Sequence, residues 1–224
     1  MSALGRTMAL VVLIANCGPA WADEARSLFN GKDLSGWVVE GPSQFKDAQG
    51  IMQPMWKVVD GMLVCAGKSF GFLRYDVQRF ADFALHVEYR MTPKGNSGIG
   101  IRTIPFDPKR SRATRPSYVC YEVQLLDDAG KEPNKHSSGS LYRYVAPTAN
   151  PVKPAHEWNE VDIECRGPQI RVTINGQNVL DVDQRTVPEI QNKPLEGYVC
   201  LQSHSNMVTF RNIRIQELKP TSGK

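Results

Sequence analysis

Between Gln169 and Val182, two runs of alternating apolar and polar residues are joined by Asn175-Gly176. A two-residue hairpin turn needs positive φ at both central positions, and Asn followed by Gly reaches it at least cost, so this stretch predicts a tight β-hairpin. The same pattern recurs at Met55–Val59, Asp60-Gly61 and Met62–Cys65. From Phe80 to Met91, Phe83, Leu85, Val87 and Tyr89 fall on one face and His86, Glu88 and Arg90 on the other. That is the period of a strand with one buried face. Further strands are expected at Gly98–Arg102, Glu160–Cys165, Gly197–His204 and Thr209–Ile215. No helical periodicity, linker or internal repeat interrupts the series. Many short strands with regular turns predict an all-β, two-sheet jelly-roll sandwich, a single domain over residues 23–218 with a disordered tail at 219–224.

Composition narrows the partners. The chain is 41% hydrophobic and 22% charged, ordinary for a soluble globular protein. Its 27 basic and 23 acidic residues are interspersed without a basic block, so nucleic acid is not an expected partner. The amino terminus reads as a signal peptide over residues 1–22. Arg6 gives a positive start, Met8–Ala15 an apolar run too short to span a bilayer, and Ala20-Trp21-Ala22 a small-residue cleavage pattern before Asp23. A rival reading attaches lipid at Cys17. Either route exports the protein, to the periplasm or beyond. Cys65, Cys120, Cys165 and Cys200 remain after cleavage. They are expected either as disulfide partners in an oxidising compartment or as small buried hydrophobes, and no CxxC spacing suggests a cysteine zinc site.

Tyr118–Asp127 reads as one β-branched and aromatic strand. Glu122 and Gln124 project together, Val123 and Leu125 project to the other side, and Asp127 has the opposite parity to Glu122 unless a bulge intervenes. A carboxylate beside an amide could handle a sugar, or could be an ordinary solvated face. Parity likewise groups Asn96, Gly98, Gly100 and Arg102. The two glycines leave room for a ligand lying on the sheet with Arg102 at its edge, or else mark a bend. Gln202 and His204 share a face. The basic loop Pro105–Pro116, with Lys109, Arg110, Arg112 and Arg115, is either solvated or a wall of the site. The long stretch Asp128–Pro154 places His136, Tyr142 and Tyr144 where a ligand could meet them.

Read together, these segments resemble a known family. Leu28–Trp37, Asn96–Arg102, Tyr121–Asp127, Glu157-Trp158-Asn159, Ile174-Asn175-Gly176 and Phe210–Ile213 look, in this order, like the motifs of the 3-keto-disaccharide hydrolase domain. That family has a concanavalin A-like jelly roll similar in architecture to family 16 glycoside hydrolases. The resemblance implies action on a glycoside oxidised at C3, where the ketone acidifies the C2 proton. Removing that proton leads to expulsion of the aglycone, and water then adds to the enone. It implies Glu122 as base or metal-holding carboxylate, Arg102 as the cation at the enolate oxygen, and His204 or Asp127 as acid. Asn96, Gln124 and Gln202 would hold hydroxyls, and Trp158 or Tyr142 would stack on the ring. A divalent metal held by Glu122 and His204, with His136 and Asp127 in reach, is a further expectation. Family 16 enzymes carry paired Glu residues around an Asp. Here the comparable positions read Glu122, Gln124 and Asp127, and double displacement needs a nucleophile and an acid about 5 Å apart. Two alternatives stand beside the keto-sugar enzyme: a noncatalytic carbohydrate-binding module and a conventional glycoside hydrolase.

Overall fold

The computed structural model describes residues 24–107, 109 and 115–219. The expected signal segment with Cys17, half of the basic loop and the tail from residue 220 lie outside the described residues. In chain order the strands are β1 (Arg26–Ser27), β2 (Trp37–Glu40), β3 (Gln44–Lys46), β4 (Met52–Pro54), β5 (Trp56–Val59), β6 (Met62–Cys65), β7 (Gly71–Phe80), β8 (Phe83–Met91) and β9 (Asn96–Thr103). One helical turn, α1 (Pro116–Val119), leads into β10 (Tyr121–Leu126). Then follow β11 (Asn159–Arg166), β12 (Gln169–Ile174), β13 (Gln177–Asp183), β14 (Gly197–Ser203) and β15 (Val208–Glu217).

The strands build an all-β, antiparallel sandwich. One sheet runs β13-β12-β11-β8-β15-β6-β5 with β1 added along β15, and the other runs β10-β9-β14-β7-β2. Leu85, Val87 and Tyr89 of β8 and Phe210 of β15 share one buried core with Ile99, Ile101, Val123, Leu125 and Leu201 of the other sheet. Turn chemistry fixes the registers. Asp60 and Gly61 have φ of 51° and 73°, Asn175 and Gly176 of 49° and 79°, so both hairpins close as expected with Val59 opposite Met62 and Ile174 opposite Gln177. Near the amino terminus, Leu28, Phe29 and Trp37 are buried, and the Trp37 indole donates to the Leu28 carbonyl at 2.9 Å.

Two expectations change, and of the two readings of the cysteines one holds. Tyr118 and Val119 belong to α1 rather than to the strand, which begins at Tyr121; Pro116 presets the helical φ at the start of the turn. Gly41–Pro54, whose Gly, Gln and Pro content in the sequence reads as a loop, contains the β3–β4 hairpin. All four cysteines are buried free thiols, so they act as small hydrophobes.

Candidate active site

The site forms on the outer face of the five-stranded sheet. In the β9–β10 register Glu122 lies opposite Gly100 and Gln124 opposite Gly98. The room above the glycines is used by the protein itself. A Cβ on Gly98 would sit 2.8 Å from Glu122 Oε1, and one on Gly100 would meet Thr103 at 2.8 Å. From β14, next to β9, Gln202 Nε2 donates to Glu122 Oε1 at 2.7 Å, and the Ser117 hydroxyl of α1 bonds to the same carboxyl. Gln124 Nε2 donates to Asn96 Oδ1 at 3.2 Å. The Oε1 atoms of Gln124 and Gln202 are both buried with no donor among the described residues. Buried carbonyls are rarely left so, and ligand hydroxyls satisfy them well.

A wall is built by the loop after β10. Gly139 N donates to Gln124 O at 2.9 Å, Gln124 N to Ser140 O at 3.1 Å and Tyr142 N to Glu122 O at 2.8 Å. The loop therefore pairs with the free edge of β10. Its base is pinned by Asp128, which accepts from Ser138 N at 2.9 Å and Ser138 Oγ at 2.7 Å. This backbone path carries Tyr142 and Arg143 to the mouth. Arg143, at φ 70°, lays its guanidinium over the Tyr118 ring at 4.0 Å, and Arg115 lies over Phe70 at 4.2 Å. The enclosed cavity has a volume of about 130 Å³.

Burial sets the acid–base character. Glu122 is 4% exposed, and desolvation pushes its carboxyl up to about 7 against the Gln202 and Ser117 bonds and the more distant charges of Arg115 and Arg143. Such a group is half ionised near neutrality, where a general base is most useful. His204 is held below its ordinary value by burial and by the Arg115 charge, so its imidazole is neutral at pH 7.

The cavity brings together Asn96, Glu122, Gln124, Tyr142, Gln202 and His204, with His136 at its rim. It does not include Arg102, Asp127 or Trp158. Arg102 has φ 53°, beside the register shift between Tyr198 and Cys200 on β14. That irregularity breaks the expected parity and turns the side chain inward. There its Nε and Nη2 donate to Ala81 O at 3.1 and 2.7 Å, with Asp82 3.6 Å away. Asp127 Oδ2 accepts from Lys94 N at 2.8 Å and braces the β8–β9 turn. Trp158 is held between the guanidiniums of Arg90 at 4.9 Å and Arg211 at 3.9 Å. Tyr144 packs under Lys193 Nζ at 4.0 Å. No group of three or more His, Cys, Asp or Glu side chains converges among the described residues. With Asp127 engaged elsewhere, the expected divalent-metal site lacks a set of three His, Cys or carboxylate donors among the described residues. The lining residues absent from the sequence-derived candidate site are Phe70, Arg115, Ser117, Tyr118 and Arg143. Arg115 had a signal in the basic loop. Arg143 lay in the long irregular stretch, flanked by the two tyrosines considered there.

A two-sheet jelly roll with a carboxyl-and-amide cavity on one outer face defines the class. The chain belongs to the 3-keto-alpha-glucoside-1,2-lyase-like domain family, whose model matches residues 24–216. It is 26% identical over 241 residues to the 3-keto-disaccharide hydrolase of Bacteroides thetaiotaomicron, covering 89% of this chain and 80% of that protein. A crystal structure from Parabacteroides distasonis, provisionally named a glycosyl hydrolase, is 23% identical with a TM-score of 0.71, covering 91% of this chain and 99% of that one. A carbohydrate-binding module from Bacillus subtilis shares the fold at 12% identity and a TM-score of 0.52, over 81% and 96% of the two chains.

Proposed function

We propose that this protein is an enzyme that cleaves 3-keto-glycosides, 3-keto-disaccharides among them, by elimination across C1 and C2, with Glu122 as the base. The family and the name of the Bacteroides relative support the substrate class. The observation that carries the reading is the Glu122 carboxyl, buried, drawn up to about 7 and ringed by amides and guanidiniums.

In the proposed sequence Glu122 takes the C2 proton, and the C–H electron pair becomes the C2–C3 double bond of an enolate with its charge on the C3 oxygen. Arg115 and Arg143, permanently cationic, stabilise that oxygen in place of Arg102. The enolate then re-forms the C3 carbonyl, a C1–C2 double bond forms, and the C1–O bond breaks with its electrons on the leaving oxygen. Neutral His204 relays a proton from solvent to that oxygen, and Glu122 gives up the C2 proton to solvent, which restores its ionised form. Addition of water across the enone, oxygen to C1 and hydrogen to C2, completes net hydrolysis. The open carbonyls of Gln124 and Gln202 accept from ring hydroxyls, and Tyr142 offers a ring face. Glu122 is the only carboxylate lining the cavity among the described residues, which leaves double displacement without its second acid.

The test is incubation with a 3-keto-disaccharide and with its unoxidised parent, with and without EDTA, following products by mass spectrometry. Cleavage of the keto sugar alone, insensitive to EDTA and lost in Glu122→Gln, is expected. Cleavage of the parent, or a fully active Glu122→Gln, overturns the reading. Export is proposed on the amino-terminal segment alone. A mature chain beginning at Asp23 in the native host checks it, and an intact Met1 contradicts it.

A further inference from the structure

A second pair of cavities lies on the outer face of the eight-stranded sheet. One, of about 400 Å³, and a neighbour of about 240 Å³ share Thr92 and Met207 as lining residues, so together they form one elongated groove. Its floor comes from outward-facing positions of four adjacent strands. Lys57 of β5 pairs with Val64 of β6, Val64 with Thr209 of β15, and Thr209 with Arg90 of β8. Val64 and Thr209 are only 8% and 6% exposed although they face away from the core. Phe45 and Pro54 of the β3–β4 hairpin wall the groove on one side, and Asn206 and Met207 wall it further along. The loop carrying Asn206 is seated by a close approach: a Cβ on Gly67 would lie 1.8 Å from the Asn206 carbonyl oxygen.

The charge in this groove is one-sided. Lys57, Lys68 and Arg90 line it, His156 stands at the end near Arg90, and no carboxylate among the described residues lines either cavity. None of Lys57, Lys68 and Arg90 is within ion-pair distance of a described carboxylate. Elsewhere on the same outer face the cations are paired, as Arg211 is with Glu88 and Arg171 with Asp181. Beside the cations, the amides of Gln53 and Asn206 and the Thr92 hydroxyl donate to Asp47 and to backbone carbonyls and turn their oxygens to the groove as acceptors, with Phe45, Pro54, Val64 and Met207 as its apolar surface. Polyphosphate needs no apolar floor, and a fatty acid needs no row of amides and hydroxyls. A sugar ring presents an apolar face and equatorial hydroxyls, and an acidic sugar adds the anion that the cations lack.

We propose that this groove is a second binding site, for an acidic oligosaccharide whose rings carry carboxylate or sulfate groups. It is separate from the Glu122 cavity and does not depend on the reaction assigned there. Bound acidic glycan would hold the protein on a polyanionic matrix with the Glu122 cavity free.

The experiment is isothermal titration of the whole protein with tetragalacturonate, with a neutral tetrasaccharide of glucose, and with a tetraglutamate peptide of the same charge. The acidic sugar should bind at least roughly tenfold more tightly than the neutral one at low ionic strength and weaken with salt. Lys57→Glu with Lys68→Glu should weaken it by about tenfold or more, while cleavage at the Glu122 site is unchanged. Arg143→Gln should leave the binding intact. Equal binding of the neutral sugar, peptide binding as tight as the acidic sugar, indifference to the lysine pair, or loss in Arg143→Gln would each overturn the proposal. The last result would place the sugar in the Glu122 cavity.

Discussion

Two polar faces of this sandwich arise from the same strand alternation and differ in their chemistry. On the eight-stranded sheet, Glu88 accepts from Arg211 Nε at 2.6 Å and His86 meets Asp162 at 2.7 Å. Burial opposes ionisation at Glu88, but the Asn212 and Arg211 bonds outweigh it and hold the carboxyl below its usual range. On the five-stranded sheet, Glu122 has amide and hydroxyl partners, no ion pair within reach among the described residues, and a carboxyl pushed up. Coverage makes the difference. The Glu122 face is walled by α1 and by the loop paired to β10, while the Glu88 cluster keeps partners of opposite charge at its own side chains. An outward carboxylate becomes a base where the chain withholds water and keeps its cations beyond ion-pair distance.

The largest expected effect is at Glu122. Glu122→Gln should lower turnover of the keto sugar by about 10²–10⁴-fold, the range of a general base, with an unchanged fold by circular dichroism. Arg143→Gln and Arg115→Gln come next. Each removes a donor to the proposed enolate and should cost up to about 10²-fold in kcat. Arg102→Gln, at a cation of the same type on the neighbouring strand, should spare kcat. It should instead lower stability by about 1–3 kcal/mol in chemical denaturation, because the Ala81 carbonyl loses its donor inside the core. A catalytic defect in Arg102→Gln with unchanged stability would erase the distinction between the two regions.

The pH dependence sharpens the comparison. Cleavage needs ionised Glu122, so kcat/KM should rise as pH passes through about 7. The folded carboxyl titrates above its ordinary value, so the folded state holds a proton that the unfolded chain has released. Its contribution to stability is therefore greatest below about 4.5 and falls as pH rises towards 7. Glu122→Gln should accordingly raise Tm relative to wild type more at pH 8 than at pH 5. Gly98→Ala should press a methyl against Glu122 Oε1 and slow turnover by about tenfold, with a loss of about 1–3 kcal/mol in stability. The smallest effect is on the other face. His86 is raised because the Asp162 bond and the Asp162, Glu88 and Glu160 charges outweigh burial. The stability it lends is complete below its unfolded value and lost as pH climbs through the higher folded one. Asp162→Asn should therefore cost up to about 1 kcal/mol at pH 5.5, less at pH 9, and leave cleavage untouched.

Much of this was legible from period and turn chemistry. Alternation at Phe83–Tyr89 and the Asn-Gly and Asp-Gly turns fixed strands and registers, and parity placed Glu122 with Gln124 and Gln202 with His204. What escaped has physical causes. In β7, Gly71–Tyr75 is buried on both faces, so no alternation marks it. Arg102 defeated parity because a left-handed residue at a register shift reverses the side-chain direction. Asp127 and Trp158 have site-like side chains, but one caps a turn and the other separates two arginines. Arg115 and Arg143 reach the cavity through long connections whose path no periodicity encodes.

The most direct test of the central claim is cleavage of a 3-keto-disaccharide carrying deuterium at C2 of the oxidised ring, with the preformed keto monosaccharide as a control for spontaneous exchange. Loss of the deuterium in the wild-type product, with neither loss nor cleavage in Glu122→Gln, is the predicted result. A cleaved product that keeps its C2 deuterium, formed with no deuterium isotope effect on single-turnover cleavage, would mean that the bond breaks without proton removal, and Glu122 would not be the base.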